Sequence, residues 1–212
     1  ELCESATVNY LHGKWDPNGK YDVASILPPQ SAWDRGDRTL LCGLQTTDDH
    51  GVPQLNHGNV EASEQANLTK PGECLAIDDK QVPHVVDCAK PHQMETVSVI
   101  DVGKQFPDGY PDGKDMDKFL SDTCTAATED YLGGEEQLYQ STLQPFWGTV
   151  SEESWNGGTK SVNCSLVHAR DDDGFSSITG AATGGRQALS IDGNPPEERP
   201  ERNPIRDDKP AP

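Results

Sequence analysis

The stretch CESATVNYL at Cys3–Leu11 returns as CTAATEDYL at Cys124–Leu132, and WDRGDRTLLCGL at Trp33–Leu44 returns as WNGGTKSVNCSL at Trp155–Leu166. In the first pair Cys, Ala, Thr, Tyr and Leu recur at fixed offsets. In the second pair Trp, Gly, a basic residue, Cys and Leu do the same. So many matched positions make the chain read as two copies of one cysteine-bearing unit. Within the first motif, Cys3, Ala6, Thr7, Tyr10 and Leu11 fall at i, i+3, i+4, i+7 and i+8, which predicts one face of a helix. The copy predicts a longer helix from about Lys114 to Leu132, with Met116, Phe119 and Leu120 extending the stripe and Gly133-Gly134 ending it. The second motif predicts a half-buried strand over Lys160–Val167, with Val162, Cys164 and Leu166 on one face.

The six cysteines read as a disulfide framework, which persists in an oxidising compartment. Spacing alone does not choose among their connectivities, but equivalent cysteines in two copies should have equivalent partners. That expectation pairs Cys3 with Cys42 and Cys124 with Cys164, and leaves Cys74 and Cys88 as a local bridge. Each bridge should stabilise by roughly 2–4 kcal/mol. A zinc site built on cysteine is disfavoured, because no C-x-x-C or closely spaced Cys/His quartet is present. Restraint of this kind is needed: 20 Gly, 16 Pro and 33% hydrophobic residues in 212 leave little material for a large core.

A formal charge of −19 repels nucleic acid and anionic lipid, so a nucleic-acid partner is excluded as an expectation. No apolar run reaches membrane-spanning length, and Glu1 does not open a signal peptide. Any export signal or membrane anchor is therefore expected outside this chain.

Further along, Cys74–Ile77 and Val82–Cys88 predict a hairpin closed by its own disulfide, and Thr96–Val102 another strand. Phe106–Gly113 reads as a loop. Tyr139–Trp147 reads as a strand in which Pro145 argues for an edge or a break. Ser176–Ala182 and Val52–Val60 are weaker strand candidates in corresponding places. From about Gly184 the chain is Gly, Pro, Arg, Asp and Glu with little apolar content, which predicts a disordered or extended tail over 185–212.

Gly72-Glu73-Cys74-Leu75, followed by Val86-Asp87-Cys88-Ala89-Lys90-Pro91-His92-Gln93-Met94-Glu95, resembles the actinobacterial septum formation domain family. That family has a short C-L…V-x-C-x-x-P-H-x-x-E hairpin, then a helix with a cysteine, then a Trp-Gly segment ending in a second cysteine. The resemblance covers about Leu68–Gly184 fully, and residues 1–66 match its second half only. It implies an extracytoplasmic part of a membrane-anchored envelope protein with a link to cell division, and it brings no established catalytic residues. It also implies that the missing hairpin of the first unit lies upstream of Glu1 in a longer parent. The domain expectation is an incomplete first repeat over 1–66, a complete unit over 67–184 and the tail.

Candidate chemistry centres on His92 and Glu95, with His84 and Asp87 nearby. A His-plus-carboxylate metal site is one reading. The competing reading is structural: a histidine capping backbone groups of the hairpin, and a glutamate paired with a lysine or with His92. Asp48-Asp49-His50-Gly51 and Asp171-Asp172-Asp173-Gly174 could hold calcium, but they lack the spacing of an EF-hand loop and read better as solvated turns. Trp33 and Trp155, each five residues before a basic side chain, are candidate contacts for a sugar or peptide, or plugs at the end of the core. The sequons Asn67-Leu68-Thr69 and Asn163-Cys164-Ser165 read as incidental. There is no G-x-S-x-G elbow and no phosphate-binding loop, so the expectation is that the chain is not an enzyme and needs no cofactor.

The fold expected is α+β, with small antiparallel sheets and helices stapled by disulfides in tandem. The function expected is a noncatalytic extracytoplasmic module that binds another exported envelope or division protein. A metal- or small-ligand-binding sensor around His92 and Glu95, and a wall-acting enzyme, are the alternatives.

Overall fold

The computed structural model describes residues 2–48, 51–172 and 174–202. In chain order the elements are α1 (Glu4–Tyr10), β1 (Asp22–Ile26), α2 (Gln30–Trp33), β2 (Leu41–Thr47), β3 (Pro53–Gln54), β4 (Cys74–Ile77), β5 (Pro83–Val86), β6 (Met94–Asp101), α3 (Val102–Gln105), α4 (Gly113–Leu132), α5 (Glu135–Ser141), β7 (Gln144–Trp147), α6 (Glu152–Gly157), β8 (Ser161–Val167), β9 (Ile178–Thr179) and β10 (Ser190–Ile191). The class is α+β, with small antiparallel sheets, helices and the disulfides Cys3–Cys42, Cys74–Cys88 and Cys124–Cys164. Among the described residues, no helix is long and apolar enough to cross a membrane.

The described residues form two compact units, and neither is a continuous stretch: one comprises 2–48, 51–68, 99–118 and 148–162, the other 69–98, 119–147, 163–172 and 174–202. This departs from the expected cut into 1–66 and 67–184. The reason is that β6, α4 and β8 are single elements along which the chain passes from one unit into the other.

In the first unit, β2 lies between β1 and β3. Cys3, on the buried side of α1, is bonded to Cys42 of β2, and Thr7 and Leu11 complete the buried stripe of the helix. Trp33 and Trp155 lie in the short helices α2 and α6, ahead of the strands that carry Cys42 and Cys164. Ser151 starts α6 by accepting a hydrogen bond from the Ser154 N–H, and Gly36 (φ +95°) and Gly158 (φ +110°) turn the chain after α2 and α6 toward β2 and β8. Each basic partner stacks on its ring, Arg38 at 3.9 Å from the Trp33 centroid and Lys160 at 3.6 Å from that of Trp155. Each also donates to the carbonyl of that tryptophan, at 2.6 Å in both cases.

In the second unit the strand order is β5-β4-β6-β8-β7. Pro83 and Pro145 sit in the two edge strands, where a missing N–H does not break a ladder. The strand expected over Tyr139–Trp147 is corrected at its start: residues up to Ser141 belong to α5, and only Gln144–Trp147 is strand. Along α4 the buried positions Met116, Leu120, Cys124 and Thr128 recur every fourth residue, and Cys124 is bonded to Cys164 in the buried row Val162, Cys164, Leu166 of β8.

The expectation of a disordered or extended tail is also corrected for residues 185–202. Ser190–Ile191 pairs with β9, and Leu189 and Ile191 are buried. Beyond them Arg199 donates to the Tyr139 carbonyl at 3.0 Å, and the guanidiniums of Arg199 and Arg202 lie 5.0 and 4.3 Å from the Tyr139 ring centroid. A few well-placed apolar residues and arginines outweigh the polar average of the segment. The rest of the tail, residues 203–212, lies outside the described residues.

Candidate functional site

Cys74 opens β4 opposite Glu95 of β6, and Cys88 follows β5, so the Cys74–Cys88 disulfide closes the hairpin beside the start of β6. The chain between Cys88 and His92 is a tight turn: Asp87 accepts from the Ala89 N–H at 2.9 Å through its carboxylate and from the Lys90 N–H at 2.8 Å through its carbonyl. His92 then pairs with Ile178 in both directions, its N–H donating to the Ile178 carbonyl at 2.9 Å and its carbonyl accepting from the Ile178 N–H at 2.7 Å. Gly180 donates to the Cys88 carbonyl at 2.7 Å. It has to be glycine there, because its φ is +97° and a Cβ would lie 2.0 Å from the Ala188 carbonyl oxygen.

Residues 176–182 therefore run along the hairpin and seal it, leaving His92 0% and Glu95 1% exposed. The carboxylate of Glu95 is held by two donors, the Tyr131 hydroxyl at 2.7 Å to Oε1 and the Ala182 N–H at 2.6 Å to Oε2. These donors replace the water that a buried carboxylate loses. The environment acts in return on Tyr131, whose phenol pKa is driven well above its ordinary value by burial, then by the bond to Glu95 and the charge it carries. His92 Nδ1 lies 2.8 Å from the Lys90 carbonyl oxygen, which can only accept, so the proton is on Nδ1. Nε2 is buried and has no hydrogen-bond partner among the described residues. A ring nitrogen of His92, the Cys74 Sγ and a carboxylate oxygen of Glu95 lie within 4.8 Å of one another.

The two structural roles considered from sequence part ways: the histidine takes the one expected of it, and the glutamate pairs neither with a lysine nor with His92. His92 does cap a backbone carbonyl, that of Lys90. Glu95 is satisfied by Tyr131 and Ala182. His84 and Asp87 stand outside the cluster: His84 Nε2 is 3.1 Å from Asp78 Oδ2 in the hairpin, and Asp87 shapes the turn. Tyr131 and the Ala182 amide were not identified from sequence. Tyr131 carried a usable signal, because it recurs at the place of Tyr10 on a helix face and a tyrosine hydroxyl near a core needs a partner. The Ala182 amide carried none, since any residue supplies one.

The other candidates are accounted for locally. Trp155 is 5% exposed and meets Tyr110 edge-on at 5.8 Å, while Trp33 is 39% exposed under Arg38. Burial lowers the pKa of Lys160, with the charge of Lys14 adding to the effect. Asp48 accepts from the Val52 N–H and from Gln54, and Asp172 from Arg170 and the Gly174 N–H, so neighbours already engage both carboxylates. Asp49, His50 and Asp173 of those turns lie outside the described residues. The two sequons meet each other: Asn163 accepts from the Thr69 N–H and donates to the Thr69 carbonyl, each at 2.9 Å.

The septum formation family matches residues 1–164, which takes in the hairpin, the site residues His92 and Glu95, and all six cysteines. Two curated relatives, each described as an uncharacterized membrane protein of Mycobacterium tuberculosis, one from strain CDC 1551 / Oshkosh and one from strain H37Rv, are 34% identical over 205 residues. The match takes in 95% of this chain but 45% of either relative, so the chain spans a little under half their length. No solved structure matches it. With its hairpin, its cysteine helix and the Trp-Gly segment as far as Cys164 inside the matched region, the chain belongs to the septum formation family.

Proposed function

We propose that this chain is a noncatalytic protein-binding module on the extracytoplasmic face of a membrane-anchored cell-envelope protein, acting in septum formation. The observation that supports it is the contrast between β2 and β8. The two strands carry corresponding disulfides and pair with neighbours in corresponding register: Ser25 faces Cys42 as Trp147 faces Cys164, and Thr47 faces Pro53 as Ala169 faces Phe175. We read them as copies. β8 is flanked by β7 and β6 and is buried along nearly its whole length. β2 has β1 on one side, while on the other β3 meets only Thr46 and Thr47. No strand among the described residues covers the second edge of Leu41–Gln45, and Leu41 is 58% and Ile26 65% exposed.

An open strand edge beside apolar side chains favours addition of a strand from another chain. β6 beside β8 indicates the occupant's chemistry: an extended segment of an exported protein with apolar residues at alternate positions. The acidic charge favours a neutral or basic segment.

The test places a photo-crosslinking residue at Leu41 in the full-length protein in living cells, with Val85, exposed on the edge strand β5, as the control position. The captured protein is purified and added to the chain while amide exchange is followed. Crosslinking from Leu41 alone, with slowed exchange at Leu41–Gln45 on adding that protein, is the expected result. Crosslinks confined to the same full-length protein would assign the edge to its own remaining segments, and unchanged exchange would reject strand addition.

A further inference from the structure

The cluster at the hairpin contains three of the parts of a metal site and one feature that blocks it. His92 has its Nδ1 proton fixed on a backbone carbonyl and an unpartnered lone pair on Nε2, in full burial. That is the usual arrangement for a ligating imidazole, whose second nitrogen is oriented by a carbonyl or carboxylate. Glu95 is oriented in the same way by Tyr131 and Ala182, and each of its oxygens keeps a lone pair. The third group, Cys74 Sγ, is engaged in the bond to Cys88, and a disulfide sulfur carries no charge for a metal ion. Cys88 is only partly buried, which leaves it open to attack by an incoming thiolate.

We propose that opening the Cys74–Cys88 disulfide converts the hairpin into a zinc-type metal site, with Cys74, His92 and Glu95 as ligands and Cys88 as the fourth. A dithiol supplies the electrons: its first thiolate attacks Cys88 Sγ and Cys74 leaves as thiolate, then its second thiolate attacks the mixed disulfide and expels Cys88 as thiolate, so that the dithiol closes to its own disulfide and its two protons pass to the two cysteines. The two cysteine thiols then lose their protons to the solvent as the divalent ion binds. Donors around tetrahedral zinc sit about 3.5 Å apart, so the cluster, whose donors lie within 4.8 Å of one another, has to contract by no more than about 1.3 Å. Release of the sulfurs from each other permits that contraction. The negative field of the chain attracts the cation. The resulting function is a redox-dependent metal switch at the hairpin, separate from the β2 edge.

Cys88→Ser tests this without reductant, because it leaves a Cys74 thiol beside His92 and Glu95 with the other two disulfides in place. The probe is cobalt(II), followed by zinc displacement. Expected are one equivalent bound, a thiolate-to-cobalt charge-transfer band, intense tetrahedral visible bands, and at least about tenfold weaker binding when His92→Ala is added. The disulfide-intact chain should show no such band. A folded Cys88→Ser chain with one titratable thiol and no band, or with a band indifferent to His92→Ala, would overturn the proposal. Should Cys88→Ser not fold, the same readout on the native chain after dithiol reduction and anaerobic removal of the reductant decides it. Absence of the band there, with the Cys74 and Cys88 thiols counted, overturns it equally.

Discussion

Replacing Tyr131 by phenylalanine removes one hydroxyl and leaves the ring in place. That hydroxyl donates at 2.7 Å to Glu95, a carboxylate only 1% exposed, whose second oxygen is held by the Ala182 N–H. A hydrogen bond to a buried charged group contributes roughly 1.5–3 kcal/mol, so Tyr131→Phe should destabilise the chain by about 2 kcal/mol. At roughly 2–4 °C per kcal/mol for a chain of this size, Tm should fall by about 4–8 °C at neutral pH. Urea denaturation and calorimetry on Tyr131→Phe, Glu95→Gln and the double variant complete a cycle, and the two residues should couple by about 1–2 kcal/mol. The pH arm has a definite sign. The folded-state pKa of Tyr131 is raised above its unfolded value, so its stabilisation is fully present below about pH 10 and is lost as pH climbs further. The gap between the native chain and Tyr131→Phe should therefore narrow above about pH 10. A variant within about 0.5 kcal/mol of the native chain, or zero coupling to Glu95, would refute this account of how the carboxylate is held.

Gly180→Ala should cost roughly 2–4 kcal/mol, because it combines a positive-φ backbone with a Cβ driven into the Ala188 carbonyl; the denaturation midpoint and faster amide exchange at Ala182 check it. Changing both Cys124 and Cys164 to Ser should cost about 4 kcal/mol, against about 3 kcal/mol for the Cys74/Cys88 pair, because the longer loop loses more chain entropy when closed; guanidinium denaturation of the two double variants sets the order. Lys160, whose folded-state pKa is lowered, should make stability rise with pH between that value and about 10.4, and Lys160→Met should flatten that limb in a urea series.

Sequence alone determined what depends on local spacing. The i, i+3, i+4 stripe placed the helix carrying Cys124, alternation placed β8, Pro145 pointed to an edge position for β7, and matched cysteine spacings indicated the pairs that form. It also singled out His92 and Glu95. Tertiary structure alone decided what fills the space around them. Average composition marks the tail as disordered or extended, yet Ser190–Ile191 pairs with β9, and Arg199 and Arg202 hold the segment to Tyr139 of α5. Tyr131 and the Ala182 amide reach Glu95 across separations of 36 and 87 residues, and no periodicity encodes such a meeting. Periodicity reports which face of an element is apolar. Which distant group stands opposite that face depends on the packing of all the elements together, as the sealing of His92 by residues 176–182 illustrates.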